Sequence, residues 1–326
     1  MQIVNQSALL LLHDKPHNEF IEQVARVCYK SEKHIKPGSA DKMVAGLVKN
    51  AHYAMIEHEY IYMKVNDDTW DAIKMLEVDE LEVDDNCHIN KYLNFGCMDS
   101  LKVITGSLRA WREWSDNVKK YIFADDSVQS NKLIHVFNLL HLYDEVIFPY
   151  HYSDIPIDKD AVRLLTREEI EDICDKHYSV PSCLLPHTIK FTTSRAVATE
   201  MIRHRPASPA MESQRYVDYK KNGGIDFITP MIDPNSYAYQ IWHYAAVISE
   251  SQYIDLRKLG IPPEIARGVL PNDAKTEIVV TATEDEWQHI IDLRYHGTTG
   301  APHPQMKQLM ELAYPILQHE SGGRIK

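Results

Sequence analysis

The chain has 326 residues, of which 44% are hydrophobic and 25% are charged. This composition supplies enough apolar side chains for a sizeable core and excludes disordered, collagen-like and disulfide-rich miniprotein classes. The formal net charge of −12 argues against general electrostatic binding to nucleic-acid polymers or anionic membranes, although a small anionic ligand is still compatible with it.

The first predicted element is a strand at Ala8 to Leu12, a short apolar run without the basic flank of a signal peptide. No stretch of the sequence approaches the roughly 18 apolar residues of a membrane helix. Five cysteines at irregular spacing, without a CxxC pair, indicate free thiols and a cytoplasmic protein without a metal site.

Helical and strand-like patterns follow along the first half of the chain. Residues 18–30 and 41–54 have the apolar spacing of amphipathic helices, and Asn18 is the expected N-cap of the first. Residues 60–65 alternate as a strand does. Farther on, helical pieces are predicted around 101–120 and 130–146, and an acidic stretch at 66–86, which we take to be a solvated face, supplies −8 of the net charge.

The second half alternates strands and helices more clearly. The patterns predict a strand at 187–193, followed by a helix that begins after Ser194 and is stopped by Pro206 and Pro209. They then predict a helix at 234–259 that ends at Gly260. A strand at 276–283 and helices at 284–295 and 304–318 complete the prediction. Because there is no regular βαβ alternation, this order predicts an α+β fold.

Arginines concentrate in one segment of this acidic chain. Between 195 and 215 there are four Arg against two Glu, including the run Arg203-His204-Arg205. Guanidinium groups stay charged and donate in a fork, which suits a phosphate or an ionised ring amide. An equally simple alternative is that these cations complement the dipole at the C-terminus of the preceding helix.

Common catalytic motifs are absent from the sequence. Arg205 replaces the glycine of the histidine phosphatase signature RHG, and Tyr62 stands where HExxH needs its second histidine. There is no GxGxxG, GxxxxGK[ST] or GxSxG, and nothing near Cys183 would activate it as a nucleophile.

The segment RHRPASPAMESQRY, residues 203–216, resembles the signature of the flavin-dependent thymidylate synthases. Four further segments resemble the family in the same order: IEHEYIYMKV (56–65), EIARGVLP (264–271), EWQHIIDLR (286–294) and PHPQMKQL (302–309). The resemblance covers about 1–65 and 187–318. It implies a single domain over 1–326 with a central, mainly antiparallel sheet, flanking helices and a largely helical insertion at about 67–187.

The resemblance implies reductive methylation of dUMP to dTMP with 5,10-methylenetetrahydrofolate, FAD and NADPH. Arg294 matches the family's activating arginine, which stabilises negative charge on the uracil ring without a cysteine nucleophile. The implied dUMP-binding residues are Glu200, Arg203, Glu212, Ser213, Gln214, Arg215 and Arg267. The implied FAD-binding residues are His58, Tyr60, Arg203, His204, Arg205, His289 and His303. The family also implies a homotetramer with sites shared between subunits, so that distant segments meet around one flavin.

The sequence departs from the family pattern at several positions. Ala210 and Met211 replace a usual Asn-Glu, and Glu212 is a candidate to supply the missing carboxylate. Glu200 stands where Gln is common, so we expect it to be charge-paired, by Arg195 or Arg203. Arg109 is a hypothetical replacement for an Asn-x-Arg flavin contact, whose positions here hold Thr283 and Asp285.

Two other functions stay open at this point. One is a flavoenzyme of the same fold with a changed substrate, suggested by Ala210 and Met211. The other is a non-catalytic nucleotide- or RNA-binding module that uses the Arg203-His204-Arg205 cluster, although the sequence lacks a broad basic face or repeated aromatic stacking motif.

Overall fold

A computed structural model describes residues 1–78, 93–98, 101–124, 128–152, 155–176 and 182–326. The acidic stretch beyond residue 78, and Cys87, lie outside the described residues. The strands are β1 (Ile3–Val4), β2 (Ser7–Leu11), β3 (Tyr60–Val65), β4 (Asn94–Met98), β5 (Leu101–Ser107), β6 (Val162–Leu165), β7 (Pro186–Ser194), β8 (Ser208–Met211), β9 (Phe227–Ile228) and β10 (Lys275–Thr283).

The helices are α1 (His17–Tyr29), α2 (Ser39–Lys49), α3 (Asp67–Val78), α4 (Leu108–Ala124), α5 (Val128–Tyr143), α6 (Arg167–Lys176), α7 (Arg195–Met201), α8 (Tyr237–Lys258), α9 (Pro263–Ala266), α10 (Glu284–Ile291) and α11 (Pro304–Glu320). Short 3₁₀ turns connect several of them, and a π-helical turn, Asp292–His296, follows α10. None of the described helices is long and apolar enough to cross a membrane.

The chain divides into two compact units, Met1–Ser39 with His187–Lys326, and Ala40–Pro186. The first unit is built on a four-stranded sheet in the order β2-β7-β10-β8. Strand β2 pairs antiparallel with β7, and β8 pairs antiparallel with β10. A parallel pair, β1 with β9, lies outside this sheet.

The two faces of this sheet differ because side chains alternate along each strand. Even-numbered residues of β10, such as Ile278 and Val280, enter a core that also contains Trp287 of α10 and residues of α7 and α11. The indole of Trp287 is fully buried and donates to the carbonyl of His187, 2.9 Å away. Odd-numbered residues of β10 lie on the opposite face, and α1 packs against β10 and β8.

Helix α8 packs on a second cluster in the first unit. Its residues Ala246, Ser249 and Tyr253 are buried, at the spacing of a single helix face. The cluster also contains Phe227 and Val217. Ser236 caps the helix by accepting a hydrogen bond from the backbone N–H of Tyr239.

The second unit has its own antiparallel sheet in the order β4-β5-β3-β6. Helix α4 covers one face of it with two fully buried indoles, Trp111 and Trp114. Trp111 donates to the carbonyl of Ile61 in β3, 3.4 Å away, and Trp114 packs on Phe137 of α5.

The predicted α+β class is confirmed: both four-stranded sheets contain antiparallel pairs and helices pack against them. Three local predictions are wrong. Residues 101–107 form a strand rather than the start of a helix, and Pro16 rather than Asn18 occupies the N-cap of α1. Helix α7 ends at Met201, before the prolines that were expected to stop it.

Single-domain organisation with an insertion at 67–187 stays a prediction. The second unit begins earlier in the chain, at Ala40, because β3 belongs to its sheet. Among the described residues of the predicted insertion are four helices and three strands.

Candidate active site

The Arg203-His204-Arg205 run forms a tight turn between α7 and β8. Ser194 caps α7 as predicted, accepting from the N–H of Val197 at 3.3 Å. At the other end of the helix, the N–H of His204 donates to the carbonyl of Met201 at 3.1 Å. The turn buries the His204 side chain and exposes both arginines, so the three residues do not act as one basic patch.

The buried imidazole of His204 holds Arg294 in place. The Nε–H of Arg294 donates to Nε2 of His204 over 3.1 Å. Since Nε2 accepts, the ring proton is on Nδ1, which lies 3.5 Å from a carboxylate oxygen of Glu286. These contacts join Glu286, His204 and Arg294 in a polar row. His289 lies beside it, with its ring centroid 6.1 Å from that of His204.

Arg294 has a second partner in Glu200. Its Nη1 lies 3.3 Å from Oε2 of Glu200 at the end of α7. The expectation that Arg195 or Arg203 pairs with Glu200 is therefore wrong: the guanidinium that reaches it comes from a distant segment. With both contacts, Arg294 is fixed at Nε and at Nη1.

A π-helical turn presents Arg294 at this position. Helix α10 continues into Asp292–His296, and Gly297 terminates the turn with φ of 70°. A Cβ at Gly297 would lie 2.9 Å from the carbonyl oxygen of Gly300, so the turn needs glycine for conformation and for space.

The segment after β8 alternates between interior and surface. Glu212 and Gln214 are buried, whereas Ser213 is half-buried and Arg215 is exposed. Glu212 accepts a hydrogen bond from the hydroxyl of Tyr219 at 2.6 Å. The structure therefore turns two of the predicted dUMP ligands, Glu212 and Gln214, away from solvent.

Four arginines of the predicted site carry a charge that no carboxylate compensates. Within the part of the chain that the structure describes, Arg203, Arg205, Arg215 and Arg267 have no carboxylate partner. Forked cationic donors without counterions match the chemistry of a phosphate or diphosphate group, so this donor set fits both a nucleotide and the diphosphate of FAD.

The remaining predicted flavin ligands are His303 in the first unit and His58 and Tyr60 in the second. His303 is exposed at the N-cap of α11 and makes no capping hydrogen bond through its side chain, whereas the nearby Gln305 is buried and accepts from Ser194. His58 and Tyr60 belong to the second unit, where His58 is fully buried at the end of a 3₁₀ turn and Tyr60 begins β3.

Arg109 also belongs to the second unit, at the start of α4. Its guanidinium is paired with the carboxylates of Glu57 and Glu113. These contacts engage Nε and Nη1 of Arg109, and the hypothesis that Arg109 contacts flavin or nucleotide stays a prediction. The described residues contain no group of three or more side chains suited to hold a metal ion.

Sequence reasoning missed the residues that support the site from behind. Glu286 faces His204, and Tyr219 holds Glu212. Three lysines, Lys30, Lys190 and Lys275, surround Glu277. The alternation of Lys275 and Glu277 along β10 was the available signal, since it places both charges on one face of the sheet.

Comparison with known proteins identifies the family. The family model Thy1, described as thymidylate synthase complementing protein, matches residues 154–320, just over half of the chain. The chain belongs to this family. The resemblance seen in the sequence to flavin-dependent thymidylate synthases is thereby confirmed.

Curated relatives of this Thy1 chain are named flavin-dependent thymidylate synthases. The Geobacter sulfurreducens protein is 30% identical over 148 residues, covering 44% of this chain and 63% of the relative. The Pyrococcus furiosus protein is 33% identical over 146 residues, covering 44% and 56%. The chain thus spans about three fifths of the length of the curated relatives it matches.

Among solved structures, the chain is similar to a UMP/dUMP methylase, PolB, from Streptomyces cacaoi bound with 5-Br dUMP. The match covers 98% of this chain and 96% of that one, at 13% identity and a TM-score of 0.38.

Proposed function

We propose that the protein is an enzyme that methylates dUMP reductively to dTMP, with 5,10-methylenetetrahydrofolate as one-carbon donor and FAD and NADPH for the reduction. Membership of the Thy1 family supports this reaction. The observation that carries it is the placement of Arg294, whose guanidinium is fixed by His204 and Glu200 at 3.1 and 3.3 Å.

In this proposal Arg294 activates the substrate. C5 of uracil is a weak nucleophile, and it gains electron density when the ring is held as its N3-deprotonated or enolate form. A preorganised guanidinium stabilises that negative charge without rearranging at the moment of reaction. His204 and Glu286 act behind it by keeping the guanidinium plane in one orientation.

The proposal uses no cysteine nucleophile. Burial, with a contribution from nearby Glu212, raises the pKa of Cys28 to about 12, so its thiol is protonated at neutral pH. Among the other described cysteines, Cys174 is buried, whereas Cys97 is exposed and Cys183 half-buried.

We assign dUMP and FAD to different groups of the predicted site residues. Ser213, Arg215 and Arg267 bind dUMP, with Arg203 at the boundary, whereas buried Glu212 and Gln214 position this segment. Arg205, His204, His289 and His303, with His58 and Tyr60 from the second unit, are the proposed FAD residues. Bound FAD would supply hydride to the transferred carbon.

We further propose that the protein assembles as a homotetramer with shared sites. The support is an exposed stripe on α8, formed by Tyr237, Ile241, Tyr244 and Ile248, which are 37% to 75% exposed. Their spacing places them on one helix face, and an apolar face of this kind marks an interaction surface.

The test is direct. The purified protein should show a flavin absorption band, and it should oxidise NADPH and form dTMP only when dUMP and methylenetetrahydrofolate are both present. Arg294→Ala should abolish dTMP formation while the fold and most flavin binding persist. Flavin binding without dTMP would favour a changed substrate, and absence of flavin binding would favour a nucleotide-binding module.

A further inference from the structure

A cluster of lysines surrounds Glu277 on the face of the first sheet that α1 covers. The ammonium groups of Lys30, Lys190 and Lys275 lie 3.3, 3.4 and 3.6 Å from the carboxylate of Glu277. All four side chains are between 13% and 26% exposed. One carboxylate is therefore shared by three cations at a site that solvent still reaches.

The carboxylate of Glu212 also lies in this cluster, but it does not balance the positive charge of the lysines. Glu212 lies 3.4 Å from Lys30 but also accepts from Tyr219, and the guanidinium of Arg195 donates to the backbone carbonyl of Glu212. Three ammonium groups therefore contact this pair of carboxylates, Glu212 and Glu277, and Arg195 adds a fourth cation at the backbone of Glu212.

Two of the cations share one carboxylate. The ammonium groups of Lys30 and Lys275 lie 3.3 Å from Oε2 and 3.6 Å from Oε1 of Glu277, and neither protonated group can accept a hydrogen bond from the other. Burial and the adjacent Lys30 lower the pKa of Lys275, whereas at Lys30 burial is outweighed by the carboxylates of Glu212 and Glu277, which raise the pKa. Burial also lowers the pKa of Arg195, with Arg267 adding to the effect. The carboxylates thus favour the charge on Lys30, and the charges on Lys275 and Arg195 are less well compensated.

The cluster is continuous with the segment assigned to dUMP. The N–H of Ser213 donates to the carbonyl of Cys28, 2.9 Å away and two residues before Lys30. The ring of Tyr29 lies 5.5 Å from that of Tyr216. The end of α1 therefore brings Lys30 to the motif that begins at Ser213.

We propose that Lys30, Lys275 and Arg195 form an oxyanion site that binds the phosphate or carboxylate group of a reactant beside the Ser213–Tyr216 segment. This rests on the proposed function, whose reactants supply both groups: a phosphate on dUMP and glutamate carboxylates on the reduced folate. An oxyanion between Lys30 and Lys275 would accept from both and remove their mutual repulsion. Lys190 and Glu277 hold the lysines in position.

Inorganic phosphate is the probe, titrated calorimetrically into the flavin-loaded protein in chloride buffer. Lys275→Gln should weaken phosphate binding about tenfold, the loss expected for one charge-assisted hydrogen bond, whereas Lys275→Arg should retain it. Lys258→Gln is the matched control, because Lys258 is an exposed lysine whose ion pair among the described residues is with Asp255 on α8. Lys30→Gln gives a second, independent variant, and melting curves verify that each variant is folded.

Competition then identifies the source of the anion. Displacement of phosphate by dUMP but not by deoxyuridine assigns the site to the nucleotide phosphate, and displacement by methylenetetrahydrofolate assigns it to the folate carboxylates. Phosphate binding that is unchanged in folded Lys275→Gln and Lys30→Gln, or that neither reactant displaces, would overturn the proposal. Failure of the wild-type protein to form dTMP would overturn the proposed function instead, because the phosphate titration needs no turnover.

Discussion

The pairing of Glu200 with Arg294 predicts that the substitution Glu200→Gln, which replaces one carboxylate oxygen by an amide nitrogen, strengthens the binding of dUMP. A negative carboxylate beside the guanidinium that we propose as the activating group would offset part of the positive charge available to the uracil anion. Glu200→Gln keeps an oxygen that accepts from Nη1 of Arg294 but removes the negative charge. We therefore expect the geometry of Arg294 to persist while its attraction for the anionic substrate increases.

The distance and exposure of the pair set the size of the effect. At 3.3 Å, Coulomb's law gives about 5 kcal/mol at an effective dielectric constant of about 20. The two side chains are 23% and 30% exposed, so water screens much of this energy. Exposed salt bridges contribute about 1 kcal/mol at most to the free energy of a protein. If removing the negative charge of Glu200 makes that amount available to the substrate, the affinity for dUMP rises about fivefold.

The assay is calorimetric titration of dUMP into the flavin-loaded protein, accompanied by kcat/KM for dTMP formation. Glu311→Gln on α11 is the matched control, because it removes an exposed carboxylate outside the site. Glu200→Ala removes the acceptor as well and should lose activity through misorientation of Arg294. A folded Glu200→Gln protein whose dUMP affinity is unchanged or weaker would refute this reasoning.

Three further outcomes are expected. Burial raises the pKa of Glu284, but hydrogen bonds from His187 and Arg324 outweigh it, so the pKa in the folded protein lies below the ordinary value of a glutamate. Glu284→Gln should therefore lower the free energy of unfolding at pH 7 by about 3 kcal/mol, and the difference should vanish as pH falls through that folded pKa. Iodoacetamide at pH 8 should leave Cys28 unmodified and dTMP formation intact, as judged by mass spectrometry and product analysis. Tyr244→Glu on the exposed face of α8 should reduce the molar mass measured by light scattering.

Each of these has a contrary result. A Glu284→Gln deficit that is the same at pH 7 and in acid would mean that the carboxylate charge does not stabilise the fold. Rapid alkylation of Cys28 with loss of activity would contradict the absence of a cysteine nucleophile. An unchanged molar mass for Tyr244→Glu would remove α8 from the subunit interface, and Tyr253→Phe, on the buried face of the same helix, is the control for α8 packing.

Local patterns predicted the elements that depend on periodicity or on a single capping residue. The alternation over 60–65 and 187–193 gave strands, and Ser194 gave the start of α7, because both signals act within a few residues. The run Arg203-His204-Arg205 was found for the same reason: its composition is unusual in a chain of net charge −12.

Long-range pairing was not predictable from those patterns. Nothing local distinguishes Arg195, Arg203 and Arg294 as partners of Glu200; tertiary packing brings Arg294 there across 94 positions. The strand at residues 101–107 was not predicted because its last five residues are all buried, polar Thr105 and Ser107 among them, so no apolar-polar alternation marks it in the sequence. His58 and Arg294 stay linked only by prediction, since they belong to different units.

The π-helical turn at Asp292–His296 makes the position of Arg294 depend on the number of residues in the chain. A π turn contains one residue more than the α-helical turn it replaces. Deleting one residue between Ile291 and Arg294 would let α10 continue regularly and would rotate the guanidinium by about 100° about the helix axis. In that register it would no longer meet His204 or Glu200, although the composition of the segment would hardly change. An evolving or engineered version of this protein is therefore free to vary the side chains of this turn other than Arg294, but not the length of the turn.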